Sequence, residues 1–513
     1  MTTHALSAGD ARSPVSTRFR RDEVIFAVAA FAVLSVLVLT AAPHLAEPDD
    51  HAYQASIIAL EQGHLTLSTA QYQALSRELG HGLGGIVQWV YLASGRWISE
   101  KNPGYPFLAL PFAWLGLIRL APLCYGALGC AGLFAGARRW LGQVGGAAAV
   151  GLFCSSGAAL LFAWRDYMPT FTEVSLIAAG AGTLLWAILA EDAGVGRRTW
   201  TGLAGFIALE AAVFVRYTDV LVLGVAVLAV LAAWRLRPGA IPARSLAWWL
   251  GSVAVAGAGI AAFNQVVYGG VLSTGYRSGE IVFGLGAIGT NLQLMPAHLI
   301  EAMPVLLPGL AALAWIAVRW ARHRREPGEA GVTVRRDAGV GLTLAAAWAV
   351  LWGLYLAYYW TTSPSLDTLQ VVRFYVPAAG PIALAAAWLI SRVPSRRALT
   401  AAAAVADLLF VLGAWSFASM RTVTIAGPGT AGRPCRPSAA THCPAGSRGG
   451  PGGQHGGPGG SGRPPAGSGG PPGGAPPGSG QAGPGAARYG RGWLGRGRGW
   501  LGRGRHGAVG SAG

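Results

Sequence analysis

Two short segments place acidic and basic side chains together in an otherwise apolar chain. Residues 49–53 read Asp-Asp-His-Ala-Tyr and follow the first apolar run that is long enough to cross a membrane. Residues 100–105 read Glu-Lys-Asn-Pro-Gly-Tyr and contain the only lysine in the 513-residue sequence. An ionised carboxylate is costly to carry across a bilayer, so an acid directly after a membrane-length run is a functional hypothesis. The two segments together predict a site that handles a lipid-linked phosphate.

Transfer of a sugar from such a phosphate needs a carboxylate that accepts the proton of the attacking hydroxyl. Asp49 is the first candidate for this base, or for a metal ligand together with Asp166, and Asp50 is a further catalytic candidate. The alternative is that Asp49 and Asp50 solvate a helix exit and cap a helix that begins near Tyr53. A divalent metal is possible, but His51 stands alone and the sequence shows no metal-site spacing.

The same reaction needs cations that stabilise the departing phosphate. The candidates on the same side of the membrane are Lys101, Arg119, Arg216 and Arg373. Lys101 and Arg119 could instead serve as anchors at the membrane surface.

Three acids are open to a structural interpretation. Asp166 could pair with Arg165 or Arg216, and Glu210, within an apolar run, has Arg216 as a possible partner. Asp407 also lies in an apolar run. Buried acids in membrane segments are functional hypotheses, but pairing is the simpler explanation for Glu210.

The composition is that of a membrane protein. Hydrophobic residues make up 52% of the chain and charged residues 12%, whereas soluble domains carry about 25% charged residues. The net charge of +17 is concentrated in the C-terminal part, because no acid follows Asp407 while eleven arginines do. Most of the remaining arginines fall at predicted helix ends, so a nucleic-acid partner is not expected.

The arginine distribution predicts the topology, since short cytoplasmic loops are rich in basic residues. It places residues 1–23 in the cytoplasm and a large first loop, 43–104, outside the cell membrane, together with the candidate site. Residues 105–118 are expected to lie along the membrane surface. We expect an all-α polytopic fold of about eleven transmembrane helices within residues 24–417. The predicted spans are 24–42, 119–137, 143–163, 171–190, 199–214, 219–234, 246–266, 299–318, 339–359, 374–390 and 398–417.

Residues 427–513 differ in composition from the rest of the chain and are rich in Gly, Pro and Arg. Such a segment cannot bury enough apolar surface to offset its conformational entropy. We expect a disordered tail, or a C-terminus that results from a frameshift.

The order of the motifs resembles that of the polyprenyl-phosphate-dependent glycosyltransferases of the GT-C class. This class includes protein O-mannosyltransferases and lipid A aminoarabinose transferases. The matching features include an acidic pair with a nearby tyrosine after the first span, a Lys-x-Pro-like element in the same loop, and a late Arg-aromatic-x-x-Pro element. They fall at Asp49, Asp50 and Tyr53; Lys101, Pro103 and Tyr105; Arg119; Asp166; Arg216 to Thr218; Asn264, Tyr268, Gly269 and Thr274 to Tyr276; and Arg373 to Pro377.

The resemblance, which covers residues 24–417, implies a polyprenyl-phosphate sugar donor and inversion at the anomeric carbon. It implies an acid of the first outer loop as base, phosphate binding by Lys101 and nearby arginines, and substrate contacts from Tyr53, Tyr105 and Tyr276. The acceptor could be a lipid, a glycan or a protein, and metal dependence varies within the class. The sequence departs from the class where Asp50 replaces the commoner Glu and where no His-Pro-Pro precedes the membrane-surface segment.

The alternative functions are a transporter or lipid-linked-sugar flippase, and a non-catalytic protein of the same fold. A transporter would have ionisable groups at mid-membrane, broken helices and an internal repeat. Glu210 and Asp407 are few for that role, and the sequence shows no repeat between its halves. We therefore expect an integral membrane glycosyltransferase.

Overall fold

The computed structural model describes residues 21–40, 48–80, 88–237, 239–276, 281–363 and 368–392, together with Leu408 and Val411. Helices dominate this part of the chain. They are α1 (Arg21–Thr40), α2 (Pro48–Glu61), α3 (Thr69–Glu78), α4 (Gly104–Trp114), α5 (Leu120–Leu141), α6 (Gln143–Cys154), α7 (Gly157–Trp164), α8 (Thr170–Leu189), α9 (Val195–Val215), α10 (Val220–Leu236), α11 (Ala243–Tyr268), α12 (Gly286–Ala302), α13 (Leu306–His323), α14 (Gly328–Leu356), α15 (Thr368–Val372) and α16 (Ala379–Ser391). Short 3-10 helices cover Tyr217–Asp219, Tyr359–Thr362 and Val376–Ala378, and strands β1 (Trp89–Tyr91) and β2 (Trp97–Ser99) form one antiparallel pair.

Seven of these helices are long and apolar enough to cross a membrane. Two bent pairs, α6 with α7 and α12 with α13, would raise the number to nine if each is one span. The pairs bend by 59° and 107°. The protein is therefore an all-α polytopic membrane protein, as the sequence predicts.

Each predicted span up to residue 390 falls on an observed helix, but the predicted total of eleven is not confirmed. The span 143–163 coincides with the α6–α7 pair, 299–318 covers most of α13 but only the last turn of α12, and 374–390 coincides with a shorter apolar helix, Val376–Ser391. The span predicted at 398–417 lies almost wholly outside the described residues, as does the tail at 427–513. Most of residues 105–118, predicted to lie at the membrane surface, falls in α4, which ends at Trp114 and is too short to span.

Small residues bring α5 and α8 close together. A Cβ on Gly182 would overlap the backbone of Gly132, and one on Gly136 would overlap the backbone of Gly182. Membrane helices lack a hydrophobic force between them, so such close backbone approach supplies the packing contacts that hold them together.

The first loop folds into a small cap that positions the candidate site. Ser68 and Gln71 form a reciprocal capping box at the start of α3, and Tyr72 stacks on Trp97 of β2 at 4.2 Å between ring centroids. The β1–β2 hairpin ends at Ser99, two residues before Lys101. The hairpin therefore determines where Lys101 lies.

A buried acid holds helices together at the end of the bundle that is opposite the candidate site. Asp337 of α14 accepts hydrogen bonds from the indole N–H groups of Trp140 and Trp388, each at 3.0 Å, and from Arg392 at 2.5 Å. These partners lie near the C-terminal ends of α5 and α16, whereas the N-terminal ends of both helices lie next to candidate site residues Arg119 and Arg373. Asp337 and the candidate site therefore lie at opposite ends of the bundle.

The glycine contacts give a stability prediction. Gly182→Ala places a methyl group against the α5 backbone and should destabilise the fold by about 1–3 kcal/mol, the usual range for overpacking. Gly257→Ala is the matched control, because a Cβ on Gly257 of α11 meets nothing within 4 Å. The measurement is the apparent thermal unfolding midpoint of each variant in detergent. Equal midpoints for the two variants would contradict the packing interpretation.

Candidate active site

Two cations from distant parts of the chain meet on one carboxylate. Lys101 Nζ lies 3.3 Å from Asp49 Oδ1, and Arg373 Nη1 donates to Asp49 Oδ2 at 2.8 Å. Asp49 lies in the first turn of α2, Lys101 between β2 and α4, and Arg373 directly after α15. All three side chains are mostly buried. The structure thus brings together three of the residues that the sequence analysis selected.

Neighbouring groups hold the two cations in place. Lys101 Nζ donates to the Tyr276 hydroxyl at 3.4 Å and lies 3.3 Å from a carboxylate oxygen of Glu100. The Arg373 guanidinium lies 4.9 Å from the ring centroids of both Trp360 and Phe374. A cation against an aromatic face is attracted by the ring quadrupole, so both rings restrain Arg373 beside Asp49.

Gln88 is a site residue that sequence reasoning missed. Its side chain helps to lower the pKa of Asp49, and its backbone carbonyl accepts from Glu100 N at 2.9 Å. Its φ of 66° makes it the one non-glycine residue with positive φ in the described part of the chain. Such strain is stored where surrounding structure overdetermines it, frequently at functional sites. A lone glutamine before a short strand carries no sequence signal for this role.

The charges in the site control its protonation. Burial would raise the pKa of Asp49, but the positive charges of Arg373 and Lys101 outweigh it and hold that pKa well below its usual value. Burial opposes protonation of Lys101, yet Asp49, Tyr276 and Glu100 raise its pKa above the usual value. Both groups are therefore ionised at neutral pH, and Asp49 is a weak base while it keeps both cations.

Asp50 points away from this cluster. It forms an ion pair with Arg165, and both side chains are completely buried. Removing one partner of such a pair leaves an uncompensated charge in a low-dielectric interior. The contact gives Asp50 a clear structural role in joining α2 to the connection between α7 and α8.

Asp166 and Arg119 form a second charged pair. Arg119 Nε lies 3.6 Å from Asp166 Oδ2, and its Nη2 donates to the Val38 carbonyl at 3.0 Å. The predicted pairing of Asp166 with Arg165 or Arg216 is therefore wrong, because each of those arginines has another acid. Burial raises the pKa of Asp166 to about 6, against the opposing charge of Arg119 and with a contribution from Asp50.

Arg216 contacts the backbone of Arg373. It donates to the Arg373 carbonyl at 3.1 Å and pairs at 3.2 Å with Glu173, which is fully buried. The expected pairing with Glu210 is wrong, since Glu210 accepts a hydrogen bond from Ser252 at 2.8 Å. Glu173 was missed because it is a single acid in the first turn of an apolar helix.

The three candidate tyrosines occupy different positions. Tyr276 contacts Lys101, and its segment fits tightly because a Cβ on Gly275 would overlap the Glu100 backbone. Tyr53 and Tyr105 are buried, with ring centroids 5.9 Å apart, and the Tyr105 hydroxyl donates to the Asp166 carbonyl.

Asp49, Lys101 and Arg373 together form what we call the Asp49 cluster. A cleft adjoins this cluster at Lys101. Its wall is formed mainly by apolar side chains of the first-loop cap, with Pro106 of α4 and Tyr268 of α11. Lys101 is one of its lining residues, along with Ser56, Leu60, Trp89, Pro103 and Tyr268. A ligand in this cleft would lie beside one of the two cations.

Metal binding has limited support in the described residues. There, no three His, Cys, Asp or Glu side chains converge as they would to hold a metal ion. Asp49 and Asp166, the proposed joint ligands, instead have different cationic partners.

Comparison with known proteins gives similarities in structure alone. No family model matches the chain, and no curated protein matches it significantly. ArnT from Cupriavidus metallidurans, in a crystal structure bound to undecaprenyl phosphate, is similar with a TM-score of 0.45 and 17% identity, over 79% of this chain and 72% of that one. The oligosaccharyltransferase of Archaeoglobus fulgidus, in complex with Zn and sulfate, is similar with a TM-score of 0.45 and 14% identity, over 76% of this chain and 53% of that one. This chain thus spans about half the length of the archaeal protein.

The Asp50–Arg165 pair yields a prediction that separates stability from chemistry. Asp50→Ala removes the carboxylate that pairs with the buried Arg165 and should cost about 3–5 kcal/mol. The double variant Asp50→Ala/Arg165→Met should recover most of that loss, because no charge then remains buried. Both are measured as apparent unfolding midpoints in detergent. An unchanged midpoint for Asp50→Ala would show that the pair is not a structural requirement.

Proposed function

We propose that this protein is an integral membrane glycosyltransferase that moves a hexosyl or pentosyl group from a polyprenyl-phosphate donor to an acceptor hydroxyl. The observation that carries the proposal is the convergence of Lys101 and Arg373 on Asp49. It combines a carboxylate and two phosphate-binding cations beside a cleft, on elements that are far apart in sequence. The sequence resemblance to the GT-C class suggests the same assignment.

The proposed reaction is a single displacement. The acceptor oxygen attacks the anomeric carbon as the bond from that carbon to the phosphate oxygen breaks. The bonding electron pair leaves with the phosphate, and the proton of the acceptor hydroxyl passes to Asp49. The products are the inverted glycoside and polyprenyl phosphate.

The charge balance of the cluster fits this step. A negative charge develops on the phosphate while protonation removes one from Asp49. Lys101 and Arg373 can therefore shift their interaction from the carboxylate to the phosphate without a change in the total charge they face. Cations placed in advance where charge develops lower the barrier, because they need no reorganisation during the reaction.

Asp49 becomes a stronger base when a donor is bound. In the free protein, its pKa is held low by Arg373 and Lys101. A phosphate that engages both cations weakens this effect and raises the pKa of Asp49 towards the range useful for general-base catalysis. Asp166, with a pKa of about 6, is the second candidate base, but its charged partner is Arg119.

We place the site on the extracytoplasmic face. The opposite end of the bundle carries more arginines, among them Arg319, Arg322, Arg324, Arg336 and Arg392, and cytoplasmic loops are enriched in such residues. The acceptor is proposed only by class, as a hydroxyl of a lipid, a glycan or a protein.

One observation favours the transporter alternative. The two bent helix pairs touch at their breaks, where the Ser156 hydroxyl donates to the Ala302 carbonyl at 3.2 Å. Broken helices are typical of transporters, but their breaks usually bind ions or substrates. The ion pairs of the described residues are instead concentrated at the two ends of the bundle. The charge distribution therefore favours the transferase.

The first functional prediction concerns Asp49. Asp49→Asn keeps the side-chain size but removes the base, so transfer from radiolabelled polyprenyl-phosphate sugars should fall by about 10²–10⁴-fold. The assay compares membranes that contain wild type, Asp49→Asn and Asp166→Asn. Wild-type transfer with no loss in Asp49→Asn would exclude Asp49 as the base. Movement of intact donor across vesicles without transfer would support the transporter instead.

The pH dependence distinguishes the two candidate bases. If Asp166 were the base, its raised pKa would make kcat/KM increase with pH through about 6, and Asp166→Asn would abolish this limb. If Asp49 is the base, its lowered pKa in the free enzyme leaves kcat/KM without a limb near pH 6. We expect the second result, measured between pH 4.5 and 8, a range in which Asp49 stays ionised in the free enzyme.

The cations should act on the phosphate. Lys101→Gln and Arg373→Gln each remove a charge-assisted contact, which is worth about 1.5–3 kcal/mol, so donor kcat/KM should fall roughly tenfold to hundredfold. Arg96→Gln is the matched control, because Arg96 lies in the same cap but is exposed and bonds to Thr66. Equal losses in all three variants would indicate general electrostatic attraction and contradict specific phosphate binding.

A further inference from the structure

Three arginines surround Asp337 at the end of the bundle opposite the Asp49 site. Arg392 Nη2 lies 2.5 Å from Asp337 Oδ2, Arg319 Nη1 lies 3.9 Å from the same oxygen, and Arg336 Nε lies 4.0 Å from Oδ1. Arg319 lies in α13, Arg336 lies in α14, and Arg392 directly follows α16. We refer to Asp337, Arg319, Arg336 and Arg392 as the Asp337 cluster.

Two of these arginines, Arg319 and Arg336, lie too far from Asp337 to donate a hydrogen bond to it. Its oxygens accept from Trp140, Trp388 and Arg392, whereas 3.9 and 4.0 Å exceed a hydrogen-bond distance. Arg336 Nε is buried and has no hydrogen-bond partner among the described residues. Within the described part of the chain, the ion pairs of these three arginines converge on one carboxylate, so the described charges are net positive. The cluster thus combines excess positive charge with unused guanidinium donors.

The surroundings of the cluster are those of a membrane–water interface. The side chains of Arg319, Arg336 and Arg392 are 31%, 32% and 27% exposed, so they are reached from outside but are shielded from bulk water. Trp315 and Trp320 of α13 are exposed on the same helix. Tryptophans are enriched at the depth of lipid headgroups, and basic pockets between membrane helices are suited to bind anionic headgroups.

We propose that Arg319, Arg336 and Arg392 bind the phosphate of an anionic phospholipid headgroup in the leaflet opposite the Asp49 site. The planar guanidinium matches a phosphate with two parallel donors, and Asp337 fixes Arg392 in position for it. One phosphate diester charge offsets part of the excess positive charge that Asp337 leaves. This proposal does not depend on the glycosyltransferase assignment.

The test counts lipids on the full chain in detergent by native mass spectrometry, with phosphatidylglycerol or phosphatidylcholine added. Wild type should retain one phosphatidylglycerol and no phosphatidylcholine after detergent exchange. Arg319→Gln/Arg336→Gln should bind phosphatidylglycerol roughly thirtyfold more weakly, from the usual contribution of one basic residue near an anionic lipid taken twice. Arg322→Gln/Arg325→Gln is the matched control, since it removes the same charge from exposed residues near the cluster and should keep the lipid.

A second variant guards against loss of folding. Arg319→Lys/Arg336→Lys keeps the charge but removes the planar donors, and it should retain the lipid with intermediate affinity and an unchanged unfolding midpoint. Equal loss in the cluster and control variants would overturn the proposal, because diffuse attraction would then explain binding. Displacement of the lipid by millimolar inorganic phosphate, with no preference for phosphatidylglycerol, would overturn the lipid assignment and leave a free-phosphate site.

Discussion

The charge on Asp49 is the constraint on which the site depends. A buried carboxylate is tolerated only when it is paired, and here the pairing requires Lys101 and Arg373 from distant segments. The hairpin before Lys101, the aromatic rings around Arg373 and the strained backbone at Gln88 can each be explained as parts that hold this pairing. The same charges that stabilise the ligand-free arrangement are the ones that a phosphate would compete for.

Buried charge is distributed among several separate pairs, which limits what each residue can do. Asp50 is committed to Arg165, and Glu173 to Arg216, so neighbouring residues in sequence have different partners in space. Asp49 and Asp50 are adjacent on α2 but point in different directions, because successive helical residues are about 100° apart. Asp49 instead pairs with two cations, and one of them, Lys101, lines the cleft.

The sequence predicted the helical fold well and the pairing only in part. Apolar runs of membrane length are a strong signal, and the observed helices follow them up to residue 390. The acids and cations of the Asp49 cluster were also selected, since charged residues stand out in an apolar chain. Which acid meets which base could not be predicted, as the errors for Asp166 and Glu210 show, because pairing depends on helix rotation and loop path. Gln88 and Asp337 were missed because neither belongs to a pattern.

The buried charges are neutralised differently at the two ends of the bundle. At the Asp49 end, two cations share one carboxylate, and the nearby Glu100 supplies further negative charge. At the Asp337 end, three arginines share one carboxylate that two indoles already engage, which leaves positive charge in excess. An excess of charge that is half-buried has to be met by solvent or by a ligand. In a protein whose helices pass through lipid, anionic headgroups are available at the ends of the helices, which is why we propose one as the counter-ion of the cluster.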